Sequence, residues 1–189
     1  TATIVFATDN SATITNAIKG AATNEGTINI TGGNKIFTGV IGNTNTVGSI
    51  NVAASKTATV KNNVTANTIT LGTTTTGGTL VVASADTPAA ITVTGTINGT
   101  SSGVGVLQIT NSGGTTFASI IGGTSPLSTL TIDESSTFSS AVSSTTITVA
   151  ASKTATFSDA VTGTTIANYG TLLFNATSAD RKSTRLNSS

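Results

Sequence analysis

Phe37-Thr38-Gly39-Val40-Ile41-Gly42-Asn43-Thr44-Asn45-Thr46-Val47-Gly48-Ser49-Ile50-Asn51-Val52 returns further along the chain at an offset of 80. The second copy reads Phe117-Ala118-Ser119-Ile120-Ile121-Gly122-Gly123-Thr124-Ser125-Pro126-Leu127-Ser128-Thr129-Leu130-Thr131-Ile132. Phe, Ile, Gly and Thr recur in register, and apolar positions replace apolar positions. Upstream, Ala12-Thr13-Ile14-Thr15 through Gly20 matches Ile91-Thr92-Val93-Thr94 through Gly99 at an offset of 79. Downstream the offset jumps to 97, where Val52-Ala53-Ala54-Ser55-Lys56-Thr57-Ala58-Thr59 reappears as Val149-Ala150-Ala151-Ser152-Lys153-Thr154-Ala155-Thr156. The extra stretch runs from Ile132 to Val149, a step of 17. Phe138, Val142 and Ile147 return as Phe157, Val161 and Ile166 at a spacing of 19.

A chain that accepts one extra short unit without losing its pattern is modular along a single axis, which is the signature of a solenoid. Within each unit, Ile-x-Val strands alternate with Ser/Thr/Gly turns, and matching strands start at Ile28, Ile50, Ile69, Leu107, Leu130, Ile147 and Leu172. A period of two points these apolar side chains inward and leaves Thr outward. The pattern predicts an all-β chain, a right-handed parallel β-helix (β-solenoid) with coils of about 17–25 residues. Nine or so coils stacked at about 4.8 Å would form a rod about 43 Å long. A two-domain β-sandwich also has closely spaced strands. An inserted strand set would disrupt its pairing, so the extra unit favours the solenoid.

The expected organisation is a solenoid over 1–179, with a long repeat at 3–79 and a second copy at 80–170. One extra coil lies near 132–149, and a third copy starts at 171–179. A solenoid needs capped terminal coils, and neither end carries one; both ends read as cut. The last ten residues, Asp180-Arg181-Lys182-Ser183-Thr184-Arg185-Leu186-Asn187-Ser188-Ser189, hold three of the eight basic residues. They correspond codon for codon to a common short-read sequencing adapter, so 180–189 reads as an artefactual tail. Without it, five Lys face six Asp or Glu, and the formal charge moves from +1 to −1. The basic balance is then no sign of a nucleic-acid partner.

Composition narrows the chemistry. Among 189 residues, 8% are charged and 4% aromatic, with no His, Cys, Met or Trp. That removes thiol chemistry, imidazole acid–base catalysis, soft metal sites and disulfides. Thr makes up roughly a quarter of the chain, and it is the best polar strand former. No apolar run is long enough for a membrane helix.

The titratable groups are Asp9, Glu25, Asp86, Asp133, Glu134, Asp159, Tyr169 and five lysines before the tail. Asp133-Glu134 is the one adjacent carboxylate pair. Neighbours on a strand face opposite sides, so the pair reads as a solvated turn rather than an acid/base or Ca²⁺ site. Lys56 and Lys153 share a repeat position and read as solubilising turn residues, not as partners in a Lys–Asn crosslink. The pairs Gly32-Gly33, Gly77-Gly78, Gly113-Gly114 and Gly122-Gly123 lack the Lys-Ser/Thr of a phosphate loop and read as turns. Thr-x-Thr recurs at Thr57/Thr59, Thr68/Thr70, Thr92/Thr94, Thr129/Thr131, Thr146/Thr148 and Thr154/Thr156. Stacked, these would resemble the ice-binding face of a solenoid antifreeze protein. Unequal coils argue against such alignment.

Phe37 through Val52, followed by Thr68-Ile69-Thr70-Leu71, resembles the passenger repeats of rickettsial outer membrane protein B and related surface cell antigens. Gly39-Val40-Ile41-Gly42-Asn43-Thr44-Asn45 carries the likeness, as does Ile97-Asn98-Gly99-Thr100 leading into Gly105-Val106-Leu107-Gln108-Ile109. The second copy departs from it at Gly123 and Ser125, where Asn is usual. The resemblance implies an autotransporter: an exported β-helical passenger at the bacterial surface, tethered through a C-terminal outer-membrane barrel. It implies a non-catalytic adhesin or surface coat with no catalytic, cofactor-binding or metal-binding residues. Its partners would be a host-cell receptor or a neighbouring coat protein, with no nucleic acid and no insertion of this segment into the membrane. The alternative is a secreted structural or ice-binding Thr-rich solenoid. A carbohydrate-active β-helix would need carboxylates or lysines converging in a groove.

Overall fold

The computed structural model describes residues 2–175 and the strand Leu186–Asn187. Residues 176–179 of the third copy, and the tail apart from that strand, lie outside the described residues. The first strands along the chain are β1 (Thr3–Phe6), β2 (Ala12–Ile14), β3 (Glu25–Ile30), β4 (Lys35–Phe37), β5 (Val47–Val52) and β6 (Thr57–Val60). Then come β7 (Val64–Leu71), β8 (Thr79–Ala83), β9 (Ile91–Gly99), β10 (Val106–Thr110), β11 (Thr115–Phe117) and β12 (Leu127–Ile132). The last are β13 (Ser136–Phe138), β14 (Val142–Val149), β15 (Thr154–Phe157), β16 (Val161–Asn168), β17 (Thr171–Phe174) and β18 (Leu186–Asn187).

Odd-numbered strands form one nine-stranded parallel sheet and even-numbered strands a second, each stacked in chain order. Every strand except the two at each end of the stack therefore pairs with the strand one turn before it and the strand one turn after it. This is a parallel β-solenoid. No helix occurs among the described residues, and none is long and apolar enough to cross a membrane.

The residue register resolves three faces around the axis. On the first, Ile4, Ile28, Ile50, Ile69, Ile97, Ile121, Val142 and Val161 stack rung on rung. On the second, the column is Ile14, Phe37, Val60, Val82, Ile109, Ile132 and Val149. On the third it is Ile18, Ile41, Val64, Val93, Phe117, Phe138, Phe157 and Phe174. The long strands β7 and β9 bend round the corner from the third face to the first. That is how one sheet passes from one face to another.

The alternation fixes what is buried. Ile28, Ile50, Ile69, Leu107, Leu130 and Ile147 all point into the core and are at most 3% exposed. The third face carries a phenylalanine ladder in its C-terminal half. Ring centroids lie 5.2 Å apart for Phe117–Phe138, 4.8 Å for Phe138–Phe157 and 5.7 Å for Phe157–Phe174, all nearly parallel. The end rungs leave Ile4, Val5, Leu173 and Phe174 exposed.

Coil length varies more widely than expected. Leu130 pairs with Ile147, a step of 17 in the numbering, but Val64 pairs with Val93, a step of 29. The expected upper limit of 25 fails because turns of the middle coil swell at 72–78 and 84–90, outside the ladder. Strand register does not depend on turn length. Ile132 pairs directly with Val149, so the chain between them travels once round the axis.

The two long copies do not sit on the same faces. Phe37 lies on the second face and Phe117 on the third; Ile41 lies on the third and Ile121 on the first. The offset between the copies is thus three turns and a third. Gly42 and Gly122 mark the same step in both copies, with φ of 75° and 71°. At each, a Cβ would collide with a carbonyl of the next rung, Thr65 for the first and Ser143 for the second. Gly122→Ala should destabilise by about 2 kcal/mol, the strain of a left-handed backbone plus a blocked rung. Urea denaturation monitored by circular dichroism measures this, and an unchanged midpoint would refute the close approach.

Candidate functional site

The functional candidates lie on the corners and outward faces, because the interior is filled. Asp133 and Glu134 follow β12 at the corner between the second and third faces. Asp133 Oδ2 accepts from Gln108 Nε2 at 2.8 Å, whereas Glu134 Oε2 pairs with Lys153 Nζ at 2.6 Å. The adjacent carboxylates are committed to separate partners. As a half-exposed ion pair, Glu134–Lys153 contributes at most about 1 kcal/mol. Among the described residues, no group of three Asp or Glu is placed to hold a metal ion.

Lys56 and Lys153 end turns of one geometry. Lys56 N–H donates to Ala53 C=O at 3.1 Å and Lys153 N–H to Ala150 C=O at 3.2 Å. The preceding Ser55 and Ser152 have φ of 59° and 62°, the positive value a type II turn needs at its third residue. The lysines nevertheless stand at different corners. Lys56 joins the first face to the second and reaches Asp9 at 3.5 Å, while Lys153 joins the second to the third. They form no common site. No Asn side chain is bonded to either lysine among the described residues.

Lys35 was not singled out by sequence reasoning. It occupies an inward position, between Ala12 and Ala58 on adjacent rungs, and is 1% exposed. Its Nζ donates to the carbonyls of Thr8 at 3.1 Å and Asn10 at 2.5 Å. The alternation in Lys35-Ile36-Phe37 carries the signal, because Phe37 inward requires Lys35 inward as well. This buried side chain fastens the turn between β1 and β2. Asn111, fully buried, does similar work by donating to the carbonyls of Ala89 at 3.0 Å and Gly114 at 2.7 Å. The paired glycines lie in turns between strands.

The outward faces are uncharged over long stretches. On the first face Thr27, Ser49, Thr68 and Thr96 stand in one file and Asn29, Asn51, Thr70 and Asn98 in the next. Neighbouring rungs bond to each other there: Ser49 Oγ lies 3.1 Å from Thr27 Oγ1, and Asn51 Nδ2 donates to Asn29 Oδ1 at 2.8 Å. On the second face Thr129, Thr146 and Thr165 form one file, and Thr131 and Thr148 the next. On the third, Thr92, Thr116, Thr137 and Thr156 stack in single file. Unequal coils do not spoil these files, because the length differences sit in the turns.

No protein-family model, curated protein or solved structure matches this chain.

Proposed function

We propose that this chain is a non-catalytic passenger segment of an autotransporter, an adhesin or surface-coat rod displayed outside a bacterium through a C-terminal outer-membrane barrel. The observation that carries the reading is the rod itself, whose strands stack in chain order and turn uncharged Thr, Ser and Asn files outward on every face. Such a surface offers many equivalent weak contacts. Dense display on a cell multiplies them into avidity. The ionisable groups support the same view, because the two carboxylates best placed for chemistry are held apart by Gln108 and Lys153. The likeness of the Gly39–Asn45 segment to rickettsial surface antigens supplies the cell-surface setting.

The partner under this reading is a host-cell receptor or a neighbouring coat protein, bound without a metal or cofactor. Beads coated with the purified chain at graded density, incubated with cultured host cells, test it directly. Adhesion should rise more steeply than in proportion to density. Beads that adhere no better than those carrying an unrelated β-solenoid, at every density, would refute the adhesin reading.

A further inference from the structure

We infer that Asn63 is an acceptor for an asparagine-linked sugar, a modification site independent of the adhesin reading. Three Asn-x-Thr triplets lie wholly within the described residues: Asn29-Ile30-Thr31, Asn63-Val64-Thr65 and Asn98-Gly99-Thr100. Asn-x-Ser/Thr is the acceptor pattern of asparagine glycosylation, which joins a bulky, soluble group to the side-chain amide nitrogen. Asn and Thr are common in this chain, so the triplet alone does not single out a site. Its placement in the fold does.

Asn29 and Asn98 belong to one outward file of the first face, with Asn51 and Thr70 on the rungs between them. Both are half-buried in that flat face, and Asn29 Oδ1 already accepts from Asn51 Nδ2 at 2.8 Å. Asn63 instead ends the corner between the second and third faces, just before β7, and is exposed. Its position is nevertheless fixed. Its N–H donates to Asn62 Oδ1 at 2.8 Å, its C=O accepts from Ile41 N–H at 3.0 Å, and its Oδ1 accepts from Thr92 N–H at 2.8 Å. The amide is thus held by its oxygen, and among the described residues its Nδ2 donates to no protein group. Val64 is 1% exposed, so strand alternation turns Asn63 and Thr65 to the same outer side. The Thr65 hydroxyl also makes no hydrogen bond among the described residues. The nitrogen to be modified and the hydroxyl that the pattern requires are presented together. In the reaction, Nδ2 bonds to the anomeric carbon of a nucleotide-activated sugar. The nucleoside diphosphate leaves with the electron pair of the broken bond, and one amide proton passes to a base of the transferase.

The test incubates the folded full chain with a soluble asparagine glucosyltransferase that reads Asn-x-Ser/Thr, with UDP-glucose as donor, and locates hexose by fragmentation mass spectrometry. One hexose per chain is expected, on Asn63, with Asn29 and Asn98 unmodified. Short unstructured peptides carrying each of the three triplets should all be modified, which assigns the selection to the fold. Thr65→Val should abolish the hexose and Thr65→Ser should retain it, both with an unchanged circular dichroism spectrum. The proposal fails if the folded chain gains no hexose, if Asn29 or Asn98 gains as much as Asn63, or if the hexose persists in Thr65→Val.

Discussion

Phe138→Ala should destabilise the C-terminal half of the rod by about 3–5 kcal/mol, the range for emptying a fully buried aromatic site. Phe138 is 0% exposed and lies between Phe117 and Phe157, with centroids 5.2 and 4.8 Å away. Each stacked pair adds about 0.5–1.5 kcal/mol beyond burial. The third face cannot collapse into the gap, because the backbone rungs above and below are fixed by ladder hydrogen bonds. Phe138→Leu should recover part of the loss by refilling volume without the stack. Urea titrations of the three proteins decide the matter. A loss below about 1 kcal/mol in the alanine variant would mean that the ladder is not a packed column.

Removing one whole coil should preserve the register that removing a single residue breaks. Ile132 and Val149 are rung neighbours, so deleting Asp133 through Val149 takes out one complete turn. The new junction, Ile132-Ala150-Ala151-Ser152-Lys153, matches Val52-Ala53-Ala54-Ser55-Lys56 of the first copy with Ile in place of Val. Every later residue moves down one rung and stays on its own face. The shortened protein should retain its β-sheet spectrum and a cooperative transition, losing one unit and its nearest-neighbour contacts. Deleting Thr148 alone is different. It turns Val149 outward and puts Ala150 into its buried position, reversing the alternation on that strand. The cost is about 2 kcal/mol, the transfer of one valine from core to water. Equal stability of the single deletion and the parent would contradict the observed register.

Much of this was legible from residues alone. The period of two placed Ile28, Ile50, Ile69, Leu107, Leu130 and Ile147 inside, since alternation on a strand leaves only two choices and the apolar one is buried. The jump in offset from 80 to 97 revealed modular growth, because only a solenoid absorbs an added unit without repairing its core. Lys35 escaped notice because a lysine is read as solvated by default, although its inward position follows from Phe37 two positions on. The long middle coil escaped too, since turns outside the ladder leave no periodic trace.

What the chain by itself determined, then, is a parallel stack of strands, its inward residues and its uncharged outward ones. Only the tertiary structure decided the azimuth. All three faces share the same in–out alternation, so no periodicity along the chain distinguishes them. The number of faces per repeat depends on how sharply each corner turns. Packing around the axis sets those corners, and it carries the second copy one-third of a turn beyond the first. Lys56 and Lys153, identical in sequence context, consequently point to different sides of the rod.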